Sequence, residues 1–319
     1  MARAVLVVVL MAGCGFQVGI GADGAPADDA RDADIADGPI DAPAPTTCLG
    51  KWQAHQVAFS TPSLLANIPT SGEQGDPAMT SDELVLFFVW NGDQFVDHDI
   101  WAAIRPSLTE PFGESTIKSS ISDLSLDDSK LSVNGDGLIG VIASQRFGTV
   151  GGWDLFEARR TASGNAVFET ISPASLVRVN DVGSQLDPHI SADGLHVYYA
   201  AGEPQQIWVA ARAGIDDDFA IPEQVAGIPA GVGEGNADPT LTPDETVIVF
   251  TSNRTAPQAL TNLWYATRTS TGTFGAPQMV PDVNSSGYDG DPFLSPDGCR
   301  LYFASTRGST SDLYVAEMQ

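Results

Sequence analysis

One five-residue phrase recurs five times along this chain, and its spacing limits the fold more than any other feature. It reads Asp-Pro-Ala-Met-Thr from Asp76, Asp-Ser-Lys-Leu-Ser from Asp128 and Asp-Pro-His-Ile-Ser from Asp187. It returns as Asp-Pro-Thr-Leu-Thr from Asp238 and Asp-Pro-Phe-Leu-Ser from Asp291. Successive aspartates are 52, 59, 51 and 53 residues apart, and a period of that length marks a ring of repeated sheets. A turn signal follows in four of the units, at Ser81-Asp82, Ala192-Asp193-Gly194, Pro243-Asp244 and Pro296-Asp297-Gly298, built from residues that favour tight turns. Next comes an apolar run: Leu84 to Trp90, Leu138 to Ser144, Val197 to Ala201, Val247 to Ser252 and Leu301 to Ser305. A third run, from Asp99, Asp154, Gln206, Asn262 and Asp312, follows a variable loop, and a looser fourth segment begins near Phe112, Phe168, Phe219 and Phe274. Four strands in about 50 residues make one blade of a β-propeller.

The expected fold is therefore all-β: a five-bladed β-propeller of four-stranded antiparallel blades, with six blades the alternative. The last unit stops one residue after its third strand, at Gln319. The segment from Lys51-Trp52 to Ile68 carries the fourth-strand pattern and is expected to complete that blade, which removes an open edge.

The Ser-Pro-Asp-Gly turn at Ser295 to Gly298, with Leu301 to Arg307 and Asp312-Leu-Tyr after it, resembles the repeat of TolB-like, WD-repeat-like β-propellers of bacterial envelopes. The resemblance covers all five units, is close in the last two, and implies a propeller with a binding or scaffolding role. TolB itself carries an α/β domain ahead of its propeller. Here a short linker precedes the repeats, so TolB's own partners are not carried over.

The first residues point to export. Arg3, the apolar Val5 to Leu10 and the string Met11-Ala12-Gly13-Cys14 form a signal segment over 1–13. The string resembles a bacterial lipobox, with Met11 where leucine is usual, and makes Cys14 the expected lipid attachment site. Residues 14–47 read as a disordered acidic tether, in which seven aspartates and several prolines leave little to bury. Residues 48–319 are then the propeller. The membrane is met through the lipid alone, because the apolar stretch is shorter than the roughly 18 residues a spanning helix needs.

Formal charge is −26, and such a surface repels phosphate, which excludes nucleic acid as a partner. No cofactor signature is present. Cys48 and Cys299 remain as an even pair in an oxidising compartment, and a disulfide that staples the ring shut is expected of them. Four scattered histidines with two cysteines do not make a zinc site.

The recurrent aspartates are the one constellation with chemistry in it. Asp76, Asp128, Asp187, Asp238 and Asp291 each begin an innermost strand and are expected to ring the channel mouth on one face. Arg146, Arg254 and Arg307 follow the second strands on that face and are expected to pair with them, locking blades together, as repeat packing demands. The alternative is a cation or polar-ligand site, where clustered carboxylates raise one another's pKa. A glycosidase needs two carboxylates in different environments about 5 to 9.5 Å apart. The ring acids are alike by repeat, and in the cluster Asp93, Asp97, His98 and Asp99 the last belongs to the strand pattern and the rest read as a solvated loop. The in-register aromatics Trp101, Phe156, Trp208, Trp264 and Tyr314 fill the space between blades, whereas Trp90 and Trp153 break the register and are the candidate contact surface.

The sequence thus reads as a monomeric, lipid-anchored, non-catalytic binding scaffold of the cell envelope. Its partner is an envelope protein or glycan on the aspartate-bearing face, with a glycosidase-like enzyme as the alternative.

Overall fold

The computed structural model describes residues 45–92, 97–164, 166–254 and 260–319. Cys14, the signal segment, the tether up to residue 44 and Asp93 lie outside them. The described chain forms five four-stranded antiparallel sheets, the five-bladed propeller expected from the repeat. Blade 1 runs Gln74–Met79, Val85–Trp90, Asp99–Ile104 and Thr116–Ile117 from the axis outward. The innermost strands of blades 2 to 5 are Asp128–Val133, Gln185–Ile190, Asn236–Leu241 and Asp289–Leu294.

The second strands are continuous apolar runs because each has a neighbouring sheet on both faces. The core is accordingly divided into clusters that bridge adjacent blades. Phe87 and Ile100 of blade 1 pack with Leu131 and Ile142 of blade 2, and Tyr198 and Ile207 of blade 3 pack with Ile248, Phe250 and Trp264 of blade 4.

Each turn between first and second strands is tied internally. Thr80, Ser191, Thr242 and Ser295 donate hydroxyls to Asp82, Asp193, Asp244 and Asp297 at 2.5 to 2.6 Å. Those carboxylates also accept a backbone N–H two residues on, an arrangement that presets the reversal. The arginine ending each third strand then clamps the turn: Arg105, Arg160, Arg212 and Arg268 donate Nε–H to the carbonyls of Glu83, Gly137, Gly194 and Glu245. Their guanidinium groups lie 4.5 to 4.6 Å from the rings of Phe112, Phe168, Phe219 and Phe274, which explains why a phenylalanine opens each fourth segment.

Blade 5 has Met318 where the others have arginine, and the N-terminal segment supplies the missing parts. Lys51 and Trp52 are not in a strand, as the pattern suggested, but in a helix, Cys48–Gln53, started by Thr47, whose hydroxyl accepts the Gly50 N–H. The Trp52 indole donates to the Gly298 carbonyl at 2.9 Å, the bond an arginine makes elsewhere, and its ring meets Phe59 at 5.6 Å. The closing strand is only Ser63–Leu64, paired with Asp312–Glu317. Cys48 and Cys299 are bonded, with Cα atoms 5.2 Å apart.

Candidate functional site at the channel mouth

In four blades the third residue of the innermost strand is the aspartate of the repeated phrase. Asp76, Asp187, Asp238 and Asp291 all have positive φ, 51° to 54°, and all sit at a register shift against the second strand. The backbone is sparsely populated there, and aspartate is one of the few side chains that tolerates it. The proline after each has no N–H to lose at a bulge, where the ladder skips a bond.

Blade 2 departs from the expectation. Asp128 pairs with Ser144 as Asp289 pairs with Ser305, so it occupies the first position of its strand and is not in the ring. The ring position belongs to Lys130, with φ 33°. The signal was present in the spacing to the turn: Asp76, Asp187, Asp238 and Asp291 each precede a turn aspartate by six residues, and so does Lys130 before Asp136.

The arginines follow Asp128 rather than the ring. Arg146 and Arg307 bond Asp128 and Asp289 at 2.7 Å, and Arg254 bonds the Asn236 Oδ1 at 2.5 Å, all at the first strand position. Each also donates to Ser144, Ser305 or Ser252 and lies over Phe156, Tyr314 or Trp264. The expected countercharge for the ring is thus spent two residues away.

What the ring aspartates touch is sparse. Asp76 accepts from the Ser129 hydroxyl at 2.7 Å, and its N–H donates to Asp291 at 3.2 Å. Asp291 also accepts from the Tyr288 hydroxyl at 2.7 Å. Asp187 and Asp238 are 9 % and 6 % exposed, and among the described residues neither carboxylate accepts a hydrogen bond or forms an ion pair. Oxygens of Asp76, Asp187 and Asp238 lie within 4.8 Å of one another. Burial, before any other cause, raises the Asp76 carboxyl above its ordinary value and pushes Asp187 and Asp291 well above it; the Asp238 charge adds to all three and Lys130 opposes. The Lys130 Nζ is itself buried without a hydrogen-bond partner among the described residues. Just beyond the ring, burial and then Lys130 hold His189 down at about 3, so it stays neutral.

The two ends of the channel differ. The ring borders a cavity of about 340 Å³ lined by Gln74, Asp76, His98, Tyr288, Asp291 and Ser311. The other mouth has a cavity of about 200 Å³ lined by Met79, Val133, Ile190, Leu241 and Leu294, one apolar residue per blade.

Trp90 and Trp153 are half-buried, with part of each ring engaged by its surroundings. The Trp90 indole donates to the Ser71 carbonyl at 2.6 Å and meets Trp101 edge-on at 4.7 Å, while Trp153 packs on the core between blades 2 and 3. Other apolar groups of the aspartate-bearing face, which sequence reasoning missed, are exposed: Phe147 is 100 % exposed and Val182 87 %, and Val150 and Val232 are exposed too. They sit in second-to-third and fourth-to-first loops, which open where the innermost strands begin. The loops of Phe147 and Val182 touch, since a Cβ on Gly151 would meet the Gly183 carbonyl at 1.9 Å. Asp99, which opens the third strand of blade 1, is fully buried and pushed up to about 6, by burial first and then by Asp128 and Asp97. His98 is tied to Asp127.

A second group brings ligand-type atoms together on the opposite face: Asp193, His196 and Glu245. Glu245 is already engaged, by His196 Nδ1 at 2.9 Å, the Tyr198 hydroxyl at 2.6 Å and Arg268 at 3.4 Å. The same arrangement recurs between blades 5 and 1, where Glu83 meets Arg300, Tyr302 and Arg105. It is an inter-blade latch used twice.

No protein-family model matches this chain, and no curated protein matches it. Solved structures share its fold. A family-43 glycoside hydrolase is 15% identical with a TM-score of 0.53, over 80% of this chain and 92% of that one. An endo-arabinase from Bacteroides thetaiotaomicron is 11% identical with a TM-score of 0.50, over 82% and 98%. A putative TolB from Agrobacterium tumefaciens is 16% identical with a TM-score of 0.46, over 78% and 81%. At these identities the likeness is one of fold.

Proposed function

We propose that this protein is a non-catalytic binding propeller whose aspartate-bearing face docks a basic protein partner at the cell envelope. The observation that carries this reading is the set of exposed apolar side chains, Phe147, Val150 and Val182, on two loops that meet at Gly151 and Gly183 on the aspartate-bearing face. Exposed apolar groups gathered on one face favour an interface. A net charge of −26 steers basic surfaces toward it and repels acidic ones. The Cys48–Cys299 bond supports an exported location, and anchoring through Cys14 completes the proposal. Hydrolysis is the weaker reading: three ring carboxylates have oxygens within 4.8 Å of one another, whereas a glycosidase separates an acid from a base or nucleophile by about 5 to 9.5 Å.

A photo-crosslinking residue at position 147, with one at Val167 on the opposite face as control, tests the reading in intact cells. Adducts from position 147 that vanish with Val182→Asp are expected. Equal adducts from both positions would sink the docking face, and sugar release by the purified protein that Asp238→Asn abolishes would make it an enzyme.

A further inference from the structure

We propose that a cleft between blades 2 and 3, away from the axis and beside the docking face, seats one arginine side chain of the basic partner, with its guanidinium over Trp208. The inference rests on the docking reading for its partner, but its test needs none.

Blades 2, 4 and 5 each cover the aromatic of the third strand with an arginine of their own. The second strand ends in serine, and the arginine two residues on, Arg146, Arg254 or Arg307, lies 4.9 to 5.3 Å from the ring of Phe156, Trp264 or Tyr314. Blade 1 uses Trp90 instead, which meets Trp101 at 4.7 Å. Blade 3 does neither. Its second strand ends in Ala201, and Glu203 stands where the arginine would be. Among the described residues no cation lies over Trp208, and its ring is half-buried where Phe156, Trp264 and Tyr314 are buried. A cleft of about 460 Å³ opens there, with Val179, Asp181, Gly202 and Trp208 in its wall. Its acceptors match those an arginine finds in the other blades. Arg146 and Arg307 donate to the carbonyls of Ile121 and Val283. Val179 stands six residues before Gln185, as Val283 does before Asp289, and no donor among the described residues is bonded to its carbonyl. Asp181 adds a carboxylate: Oδ1 accepts from the Gly183 N–H and the Gln185 amide, which leaves Oδ2 for a guest. Tryptophan is the best aromatic face for a cation, and a guanidinium both stacks on it and spreads its donors in one plane. Arg178 at the rim also lines the cleft and opposes a cation, but a net charge of −26 outweighs it at longer range. Val182, exposed on the docking face, is in the same wall, so the cleft adjoins that face.

The test is an NMR titration of the purified protein with the methylamide of N-acetylarginine, read at the Gly183 and Gly202 amides, with the uncharged methylamide of N-acetylcitrulline as control. Saturable shifts with a millimolar Kd are expected from the arginine probe and none from the citrulline one. Trp208→Leu removes the ring face and is expected to weaken binding about fivefold. Asp181→Asn keeps an acceptor for the Gly183 N–H but removes the charge, and is expected to weaken binding severalfold. Asp181 is exposed, so that arm decides the matter if Trp208→Leu fails to fold. No saturable shift in wild type overturns the inference, as does equal binding of the citrulline probe. An unchanged Kd in either variant overturns it too. Partner adducts at position 147 without probe binding would remove the arginine seat and leave the docking reading, whereas probe binding without adducts would remove the docking reading alone.

Discussion

Glu83 and Glu245 hold equivalent turn positions, both at positive φ, 57° and 54°, and each gathers a tyrosine and a basic side chain from the preceding blade. The two latches differ in one residue. Arg300 at the first carries a permanent charge, whereas His196 at the second titrates. The hydrogen bond to Glu245 raises the His196 pKa above 6.5. A raised histidine contributes stability that is complete below its unfolded pKa and is lost as pH rises through the folded one. Glu245 is lowered by His196 and Tyr198 against the opposing effect of burial, so its contribution is present above the unfolded value and is lost as pH falls through the folded one. The latch is therefore strongest between about pH 4.5 and 6.5. His196→Arg should copy the other latch and flatten the alkaline decline, by less than about 1 kcal/mol because the imidazole is partly solvated. Denaturant midpoints at pH 6 and pH 8 measure it. Parallel declines in wild type and variant would show that the latch is not the cause.

At the scale of the element, the repeated arginine clamp explains why the third strands of blades 1 to 4 end in arginine and their fourth segments open on phenylalanine. The same rule makes the helix Cys48–Gln53 intelligible. Trp52 takes the arginine's place at the Gly298 carbonyl and is 0 % exposed, while Phe59 takes the phenylalanine's. Trp52→Ala should cost about 3 to 5 kcal/mol, as large core truncations do. Trp52→Phe should retain most of the packing and lose mainly the hydrogen bond, about 1 kcal/mol. Equilibrium denaturation separates the two, and equal losses would place the indole N–H, not the ring, at the centre of closure. The strand pattern around Lys51 misled because a tryptophan and a lysine beside apolar residues read alike in a short helix and a strand. The Thr47 cap that decides for the helix is a single local bond.

For the whole molecule, closure joins chain ends 251 residues apart in sequence through Cys48 and Cys299. Cross-linking so distant a pair removes much of the freedom of the unfolded chain, and losing it should cost about 2 to 5 kcal/mol. Cys48→Ser/Cys299→Ser should lower the Tm without changing the β content seen by circular dichroism. An unchanged Tm would assign closure wholly to Trp52 and the Ser63–Leu64 strand.

The sequence by itself determined the five blades, their strand order and the closure by the N-terminal segment, because a period near 50 residues with fixed turn chemistry admits few other arrangements. It also placed Asp76, Asp187, Asp238 and Asp291 at one mouth of the channel. Only the tertiary structure decided what those aspartates meet. In blade 2 the aspartate stands at the first strand position, two residues before the bulge, so Lys130 and not Asp128 occupies the ring position, and Arg146, Arg254 and Arg307 bond the first strand position in their blades. Exposure was likewise settled in three dimensions: Trp90 and Trp153 are half-buried and Phe147 is fully exposed, because burial depends on which strands and loops meet rather than on the residue itself.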